Sequence, residues 1–228
     1  FKDGSSIGLK LSYKIQPSPD GLAQAFLIGE SFIGSENVCL ILGDNVFYGG
    51  GLPNKLRDSV KEVNNCNNAV VFGYYVNDPG RYGVVDFDKS GKAISIEEKP
   101  FNPTSNYAIS GIYFFPNDVV KISKNLKPSE RGELEITDVN KVYLSNSRLH
   151  VEKMGRGYAW LDTGTQESLL EASLFVQTLE KRQGVKISCI EEIAYRMGYI
   201  DAQQLKKIAS QMINSPYGEY LEKVINEI

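Results

Sequence analysis

Leu9, Leu11, Tyr13 and Ile15 alternate with Lys10, Ser12 and Lys14, the period of a half-buried strand, and the turn residues Pro17 to Gly21 close the run. A helix is predicted next, with Asp20 as its N-cap and Leu22, Ala25, Phe26, Gly29, Phe32 and Ile33 along one face. The run from Asn37 to Asn45, NVCLILGDN, predicts a short buried strand that stops at Gly43, Asp44 and Asn45. After Gly49, Gly50 and Gly51 a second helix is predicted, carrying Leu52, Leu56, Val60 and Val63. Strand and helix in alternation predict parallel pairing.

The middle of the chain changes period. AVVFGYYV, YGVVDFD, KAISIEE and YAISGIYFF each predict a strand, and Asp88 to Gly91 predicts a hairpin turn, so the sheet is expected to be mixed. Helices are predicted near 118–125 and over 134–144, where Ile136, Val139 and Tyr143 align, followed by the strand LHVEKM. Thr163 and Gln166 have capping-box spacing ahead of Leu169, Ala172, Val176 and Leu179. Three more helices are expected over 191–197, 202–213 and 217–228. The last bears the stripe Tyr217, Tyr220, Leu221, Val224, Ile225 and Ile228. The expectation is an α/β core over residues 1–164 with a helical region, 165–228, packed on it.

Composition narrows the function more than the fold. The 228 residues hold 25 basic and 28 acidic side chains, with no basic run and no cationic stripe, which argues against a nucleic-acid partner. Cys39, Cys66 and Cys189 lack metal-ligand spacing and suit a reducing compartment. His150 is the sole histidine, so a multi-histidine zinc centre is excluded. No apolar run approaches the roughly 20 residues of a membrane span, and a cytoplasmic location is expected.

Candidate chemistry lies at strand ends, where open α/β sheets place ligands. Asp44 ends one strand, Glu97 and Glu98 end another, and Asp162 follows Trp160 and Leu161. Alternation puts Glu97 and Glu98 on opposite faces, so only one can enter a given cleft. Asp162 could cap the helix that follows it or share with Asp44 a magnesium ion, which takes one or two carboxylates with water and substrate phosphates completing its shell. Neither a GxGxxG nor a GxxxxGK[ST] loop is present. These residues alone leave open a carboxylate-metal cleft, an aspartate nucleophile and a two-carboxylate glycosidase.

Seven ordered blocks sharpen the choice: QPSPDGLAQA (16–25), LGDN (42–45), RYGVV (81–85), EEKP (97–100), NYAISGIY (106–113), RGELEITD (131–138) and GRGYAWLDTG (155–164). Together they resemble the glucose-1-phosphate thymidylyltransferases of the sugar-nucleotide pyrophosphorylase superfamily, over essentially the whole chain. The resemblance implies a Rossmann-like nucleotidyltransferase fold with a mixed central sheet and a helical C-terminal region. It also implies the reaction of dTTP with glucose 1-phosphate to give dTDP-glucose and pyrophosphate.

By that resemblance Gln16 and Gly21 hydrogen-bond the thymine, and Asp44 and Asp162 hold Mg2+. Gly83, Glu98 and the Ile109 backbone read the glucose hydroxyls, Lys99 and Arg131 face its phosphate, and Tyr82, Tyr107, Tyr113 and Trp160 wall the sugar. The same resemblance, and not local chemistry, selects Glu98 over Glu97. Gly49, Arg156, Glu192 and Arg196 match a second nucleotide site that takes dTDP-rhamnose in feedback, and the implied assembly is a homotetramer.

Members of this family open with a strand, a GGxGTRL loop and an SKxLLP lysine, which do not follow Phe1 here. An opening segment ahead of Phe1 is therefore expected, with little or no activity for residues 1–228 alone. Uridylyl transfer to a sugar 1-phosphate and an inactive sugar-nucleotide-binding module remain the alternatives.

Overall fold

A computed structural model describes residues 1–212 and 214–226, so the expected helix end at Ile213 and the stripe residue Ile228 lie outside the described residues. The chain divides into two compact units, Lys14–Ser168 and Phe1–Tyr13 with Leu169–Ile228. The first holds the strands β1 (Val38–Ile41), β2 (Asn45–Gly49), β3 (Ala69–Tyr75), β4 (Gly83–Phe87), β5 (Ala93–Glu98), β6 (Tyr107–Phe115), β7 (Leu149–Met154) and β8 (Tyr158–Asp162). Its helices are α1 (Gln24–Ile28), α2 (Glu30–Ile33), α3 (Leu52–Cys66), α4 (Val119–Lys124) and α5 (Ile136–Ser145).

The main sheet runs β5-β4-β6-β3-β7 and is mixed, as expected. β3 and β7 pair in parallel, while β6 is antiparallel to β3, β4 and β1. The parallel adjacency predicted for the first strands is therefore not found. β1 and β3 run in the same direction, but β6 lies between them and supplies both ladders. β4 and β5 form the predicted hairpin, closed where Asp88 Oδ1 accepts the N–H groups of Ser90 and Lys92 and Gly91 takes φ +85°.

Both faces of the central strands are covered, which explains why AVVF and YAISGIYFF are nearly continuous apolar runs. Val71, Ile109, Tyr113 and Phe115 pack with Phe26, Val119, Val139 and Tyr143 on one face. Val70, Phe72, Ile112 and Phe114 pack with Val63 and Met154 on the other. Each fully buried Val or Phe among these contributes about 1.5–3 kcal/mol of transfer free energy.

Several expectations are corrected. Leu9 to Gln16 forms no strand: among the described residues no ladder partner lies beside it, and Tyr13 and Ile15 are exposed. Alternation supplies a face, but a strand also needs an edge to pair with. β1 is not buried on both faces, since Cys39 and Ile41 face outward. The helix expected from Asp20 begins at Gln24 and is interrupted at Gly29, giving α1 and α2. Asp20 does not cap it; its Oδ2 accepts from Ser18 Oγ and Gln24 Nε2.

Two strands were not anticipated. Asn45–Gly49 and Tyr158–Asp162 pair antiparallel as β2 and β8, a separate two-stranded sheet. Five residues without regular alternation carry little local signal, and the partners are more than 100 positions apart. The expected cap also moves by two residues: Thr165 Oγ1 accepts from Ser168 N–H and Ser168 Oγ accepts from Thr165 N–H. α6 (Gln166–Gln183) starts there, which leaves Thr163 for another use.

In the second unit, α7 (Ile190–Arg196), α8 (Ala202–Gln211) and α9 (Pro216–Asn226) enclose Ile7, Leu205, Ala209, Leu221 and Val224. Asp201 and Gln204 make a reciprocal capping box at the start of α8. Tyr217 donates to Glu191 Oε2 at 2.6 Å and Tyr220 to Glu192 Oε2 at 2.5 Å, so the polar edges of the α9 stripe are tied to α7. No described helix is long and apolar enough to cross a membrane.

Candidate active site

The register Asn45↔Asp162 of the β2–β8 sheet brings the two acidic blocks together. Thr163 fastens them by donating both its N–H and its hydroxyl to the carbonyl of Asp44, each at 2.8 Å. Each carboxylate is also oriented by an N–H donor. Asn45 Nδ2 donates to Asp44 Oδ1 at 2.7 Å, and Gly164 N–H donates to Asp162 Oδ1 at 3.0 Å.

Opposite them stands the β4–β5 hairpin, in which Gly83 pairs with Glu98. Thr137, buried at the start of α5, donates to Glu98 Oε2 at 2.5 Å. A Cβ on Gly83 would stand 2.9 Å from Thr137 Oγ1, so the bare backbone lets the threonine and the carboxylate meet. Lys99 follows at φ +42°, an uncommon conformation for a residue with a side chain, and its N–H is held by the Tyr82 carbonyl at 3.0 Å.

These groups enclose one cleft of about 160 Å3. Its lining includes Asp44, Tyr82, Gly83, Glu98, Lys99, Ile109, Tyr113, Trp160 and Asp162, together with Leu22, Asn45, Arg81, Gly111 and Thr137, which are not among the sequence-predicted site residues. Burial and the neighbouring Asp162 carboxylate push the Tyr82 phenol up. Burial, then the Glu98 carboxylate, does the same to Tyr113. Both phenols therefore stay protonated near neutrality and act as hydrogen-bonding walls rather than bases.

The remaining sequence candidates sit elsewhere. Gln16 and Gly21 are together, with Gln16 Nε2 donating to the Gly21 carbonyl at 3.2 Å and to Gln24 Oε1 at 2.7 Å. Gly21 takes φ +101°, and a Cβ there would collide with the Leu134 backbone. Arg131 is ion-paired with Glu133 and Glu135 and does not line the cleft. Tyr107 packs edge-on against Tyr75 and Phe87 instead of walling the cleft.

Gly49 pairs with Tyr158, and Arg156 lines a second cavity of about 510 Å3 with Tyr74, Tyr75, Tyr107, Met154 and Tyr158. Glu192 and Arg196 belong to the other unit, paired at 2.7 Å along α7. His150 is exposed on β7, 3.5 Å from Glu152.

The donor set suits a hard cation. Asp44 and Asp162 offer carboxylate oxygens held in place by N–H donors within one cleft. No cluster of three or more metal-ligating side chains occurs among the described residues. A pair of carboxylates is what Mg2+ uses when water and substrate phosphates supply the other positions.

Residues 1–178 match the model of the Nucleotidyl transferase family. The chain belongs to that family. A glucose-1-phosphate thymidylyltransferase from Xanthomonas campestris pv. campestris is 52% identical over 219 residues, spanning 96% of this chain and 73% of the relative. A solved structure from Bacillus anthracis, assigned as a glucose-1-phosphate thymidylyltransferase and bound to sucrose, aligns with TM-score 0.67 at 39% identity over 76% of this chain and 68% of that one. A UDP-glucose pyrophosphorylase complexed with UDP-glucose aligns with TM-score 0.65 at 26% identity, covering 75% and 66%. The mixed sheet and flanking helices are thus the nucleotidyl transferase fold.

Of the lining residues that sequence reasoning missed, Thr137 and Asn45 are the two whose side chains hold a cleft carboxylate. Both lie inside recognised blocks, EITD and LGDN, but only the contacts reveal what their side chains hold.

Proposed function

We propose that this protein transfers a thymidylyl group from dTTP to glucose 1-phosphate, forming dTDP-glucose and releasing pyrophosphate. The convergence of Asp44 and Asp162 with Gly83, Glu98 and Lys99 in one cleft carries this reading, and the thymidylyltransferase relative at 52% identity supports it. A phosphate oxygen of the sugar attacks the α-phosphorus of dTTP. The new O–P bond forms as the bond to pyrophosphate breaks, with no covalent enzyme intermediate.

Glu98, oriented by Thr137, accepts from a glucose hydroxyl, and the backbones of Gly83 and Ile109 hold others. Lys99 faces the sugar phosphate from the cleft, and Arg131 would join it only by leaving its ion pairs with Glu133 and Glu135. Two anions must approach while charge spreads over the transferring group, so fixed cations and positioning supply most of the acceleration. Asp44 and Asp162 would hold Mg2+, whose charge offsets that of the phosphates. Gln16 and Gly21 recognise the thymine edge. The same proposal includes a cytoplasmic enzyme of sugar-nucleotide synthesis, assembled as a homotetramer and subject to feedback by dTDP-rhamnose.

Asp44→Asn or Asp162→Asn is expected to lower pyrophosphate release by about 100-fold or more at fixed Mg2+. Unchanged Mg2+-dependent turnover would remove both residues from the cation site. Uridylyl transfer is the second reading, favoured by the fold shared with the UDP-glucose enzyme. Assays with dTTP and UTP at equal concentration are expected to favour dTTP. Equal or better turnover of UTP reverses the assignment, and binding of dTDP-glucose without any pyrophosphate release identifies a binding module instead.

A further inference from the structure

Asn45 stands between the Asp44 carboxylate and the Trp160 indole. Its Oδ1 accepts from Trp160 Nε1 at 2.6 Å and from the Gly111 N–H at 3.1 Å, while its Nδ2 donates to Asp44 Oδ1 at 2.7 Å. Indole and backbone N–H groups only donate and a carboxylate accepts, so the two ends of this amide cannot be exchanged. The contact needs a glycine opposite. A Cβ on Gly111 would stand 2.6 Å from Asn45 Oδ1 and 2.9 Å from the Leu42 Cβ.

We propose that Asn45 is a positioning residue that couples the Asp44 carboxylate to Trp160, so that a divalent cation taken up at Asp44 alters the hydrogen bond to the indole. The inference rests on the assignment of Asp44 as a cation ligand. A cation drawing on the Asp44 oxygens competes with the Asn45 N–H for the same lone pairs, and hydrogen bonds in series polarise one another. The effect passes through the amide to its oxygen and so to Trp160 Nε1. Trp160 is packed edge-on against Tyr74 and tilted against Tyr82, with ring centroids 5.8 and 5.0 Å away. Its ring is thereby held while its hydrogen bond changes. Asp162 also neighbours the Tyr82 phenol, and a response that survives replacement of Asn45 would belong to that contact instead.

Trp160 is the only tryptophan in the 228 residues, so emission excited beyond the absorption of the 13 tyrosines reports this ring alone. The test titrates the full chain with Mg2+, following heat by calorimetry and Trp160 emission in parallel. In the unsubstituted protein both should respond with the same midpoint. Asn45→Ala should still bind Mg2+ within about tenfold of that affinity, the scale of one hydrogen bond, but its emission should no longer respond. Gly111→Ala, which keeps every polar group while pressing on the amide and on Leu42, should behave likewise and carries the test if Asn45→Ala fails to fold by circular dichroism. Asp44→Asn should lose both binding and response.

An Asn45→Ala or Gly111→Ala protein whose emission follows Mg2+ as before overturns the coupling, as does an unsubstituted protein that binds Mg2+ with no change in emission. Mg2+ affinity unchanged in Asp44→Asn overturns the cation assignment instead.

Discussion

Thr137 shows what a single hydroxyl does for the cleft. Its donation to Glu98 Oε2 at 2.5 Å leaves the carboxylate oriented before any sugar arrives. Hydrogen bonds to charged groups contribute about 1.5–3 kcal/mol. Thr137→Val keeps the shape and removes the donor, so kcat/KM for glucose 1-phosphate is expected to fall by about tenfold or more, with KM for dTTP little changed. An unaltered kcat/KM would mean that Glu98 needs no such support. Gly83→Ala attacks the same contact sterically and should produce a similar loss.

The element scale explains why the acidic ends meet. β2 and β8 are short, yet their pairing aligns Asn45 with Asp162, and Thr163 is available to bind the Asp44 carbonyl because Thr165 has taken over the capping of α6. The loop before α1 is clasped in a comparable way. Leu134 N–H donates to the Asp20 carbonyl at 2.7 Å and the Leu134 carbonyl accepts from Ala23 at 3.1 Å, a clasp that only Gly21 tolerates. Gly21→Ala combines a collision with a strained positive φ, and a loss of about 1–3 kcal/mol is expected in urea denaturation. A midpoint equal to that of the unsubstituted protein would show that the loop relaxes freely.

At the scale of the whole molecule, acid stability should depend on Asp118, which ties the α4, α5 and β7 region together through Arg148 Nη1 at 2.7 Å and Tyr143 Oη at 2.6 Å. Burial opposes its charge, but the hydrogen bonds from Arg148 and Tyr143 outweigh that effect and hold the carboxyl below its usual range. A depressed carboxylate stabilises the fold above its unfolded pKa, near 4, and that contribution is lost as pH falls through the lower folded value. Because Asp118 is two-fifths exposed, solvent screening limits the contribution to about 1 kcal/mol. Asp118→Asn should therefore lower stability at pH 7 by about that amount and flatten the acid limb of the curve. An acid limb as steep as before would assign it to other carboxylates.

Local pattern was sufficient for the elements whose signal is their own. The β4–β5 hairpin, α3, α4, α5, β7 and the three last helices follow from apolar period, turn residues and caps within each segment. The seven ordered blocks likewise carry the family resemblance and contain the residues that line the cleft. Long-range pairing decided the rest. Leu9 to Gln16 alternates as a strand should but has no ladder beside it among the described residues, whereas Asn45–Gly49 and Tyr158–Asp162 have little pattern and become strands through each other. Backbone hydrogen bonds of a sheet are satisfied between segments, so no window of sequence contains them. The same reason hid Asn45 and Thr137, whose partners Trp160 and Glu98 lie 115 and 39 positions away.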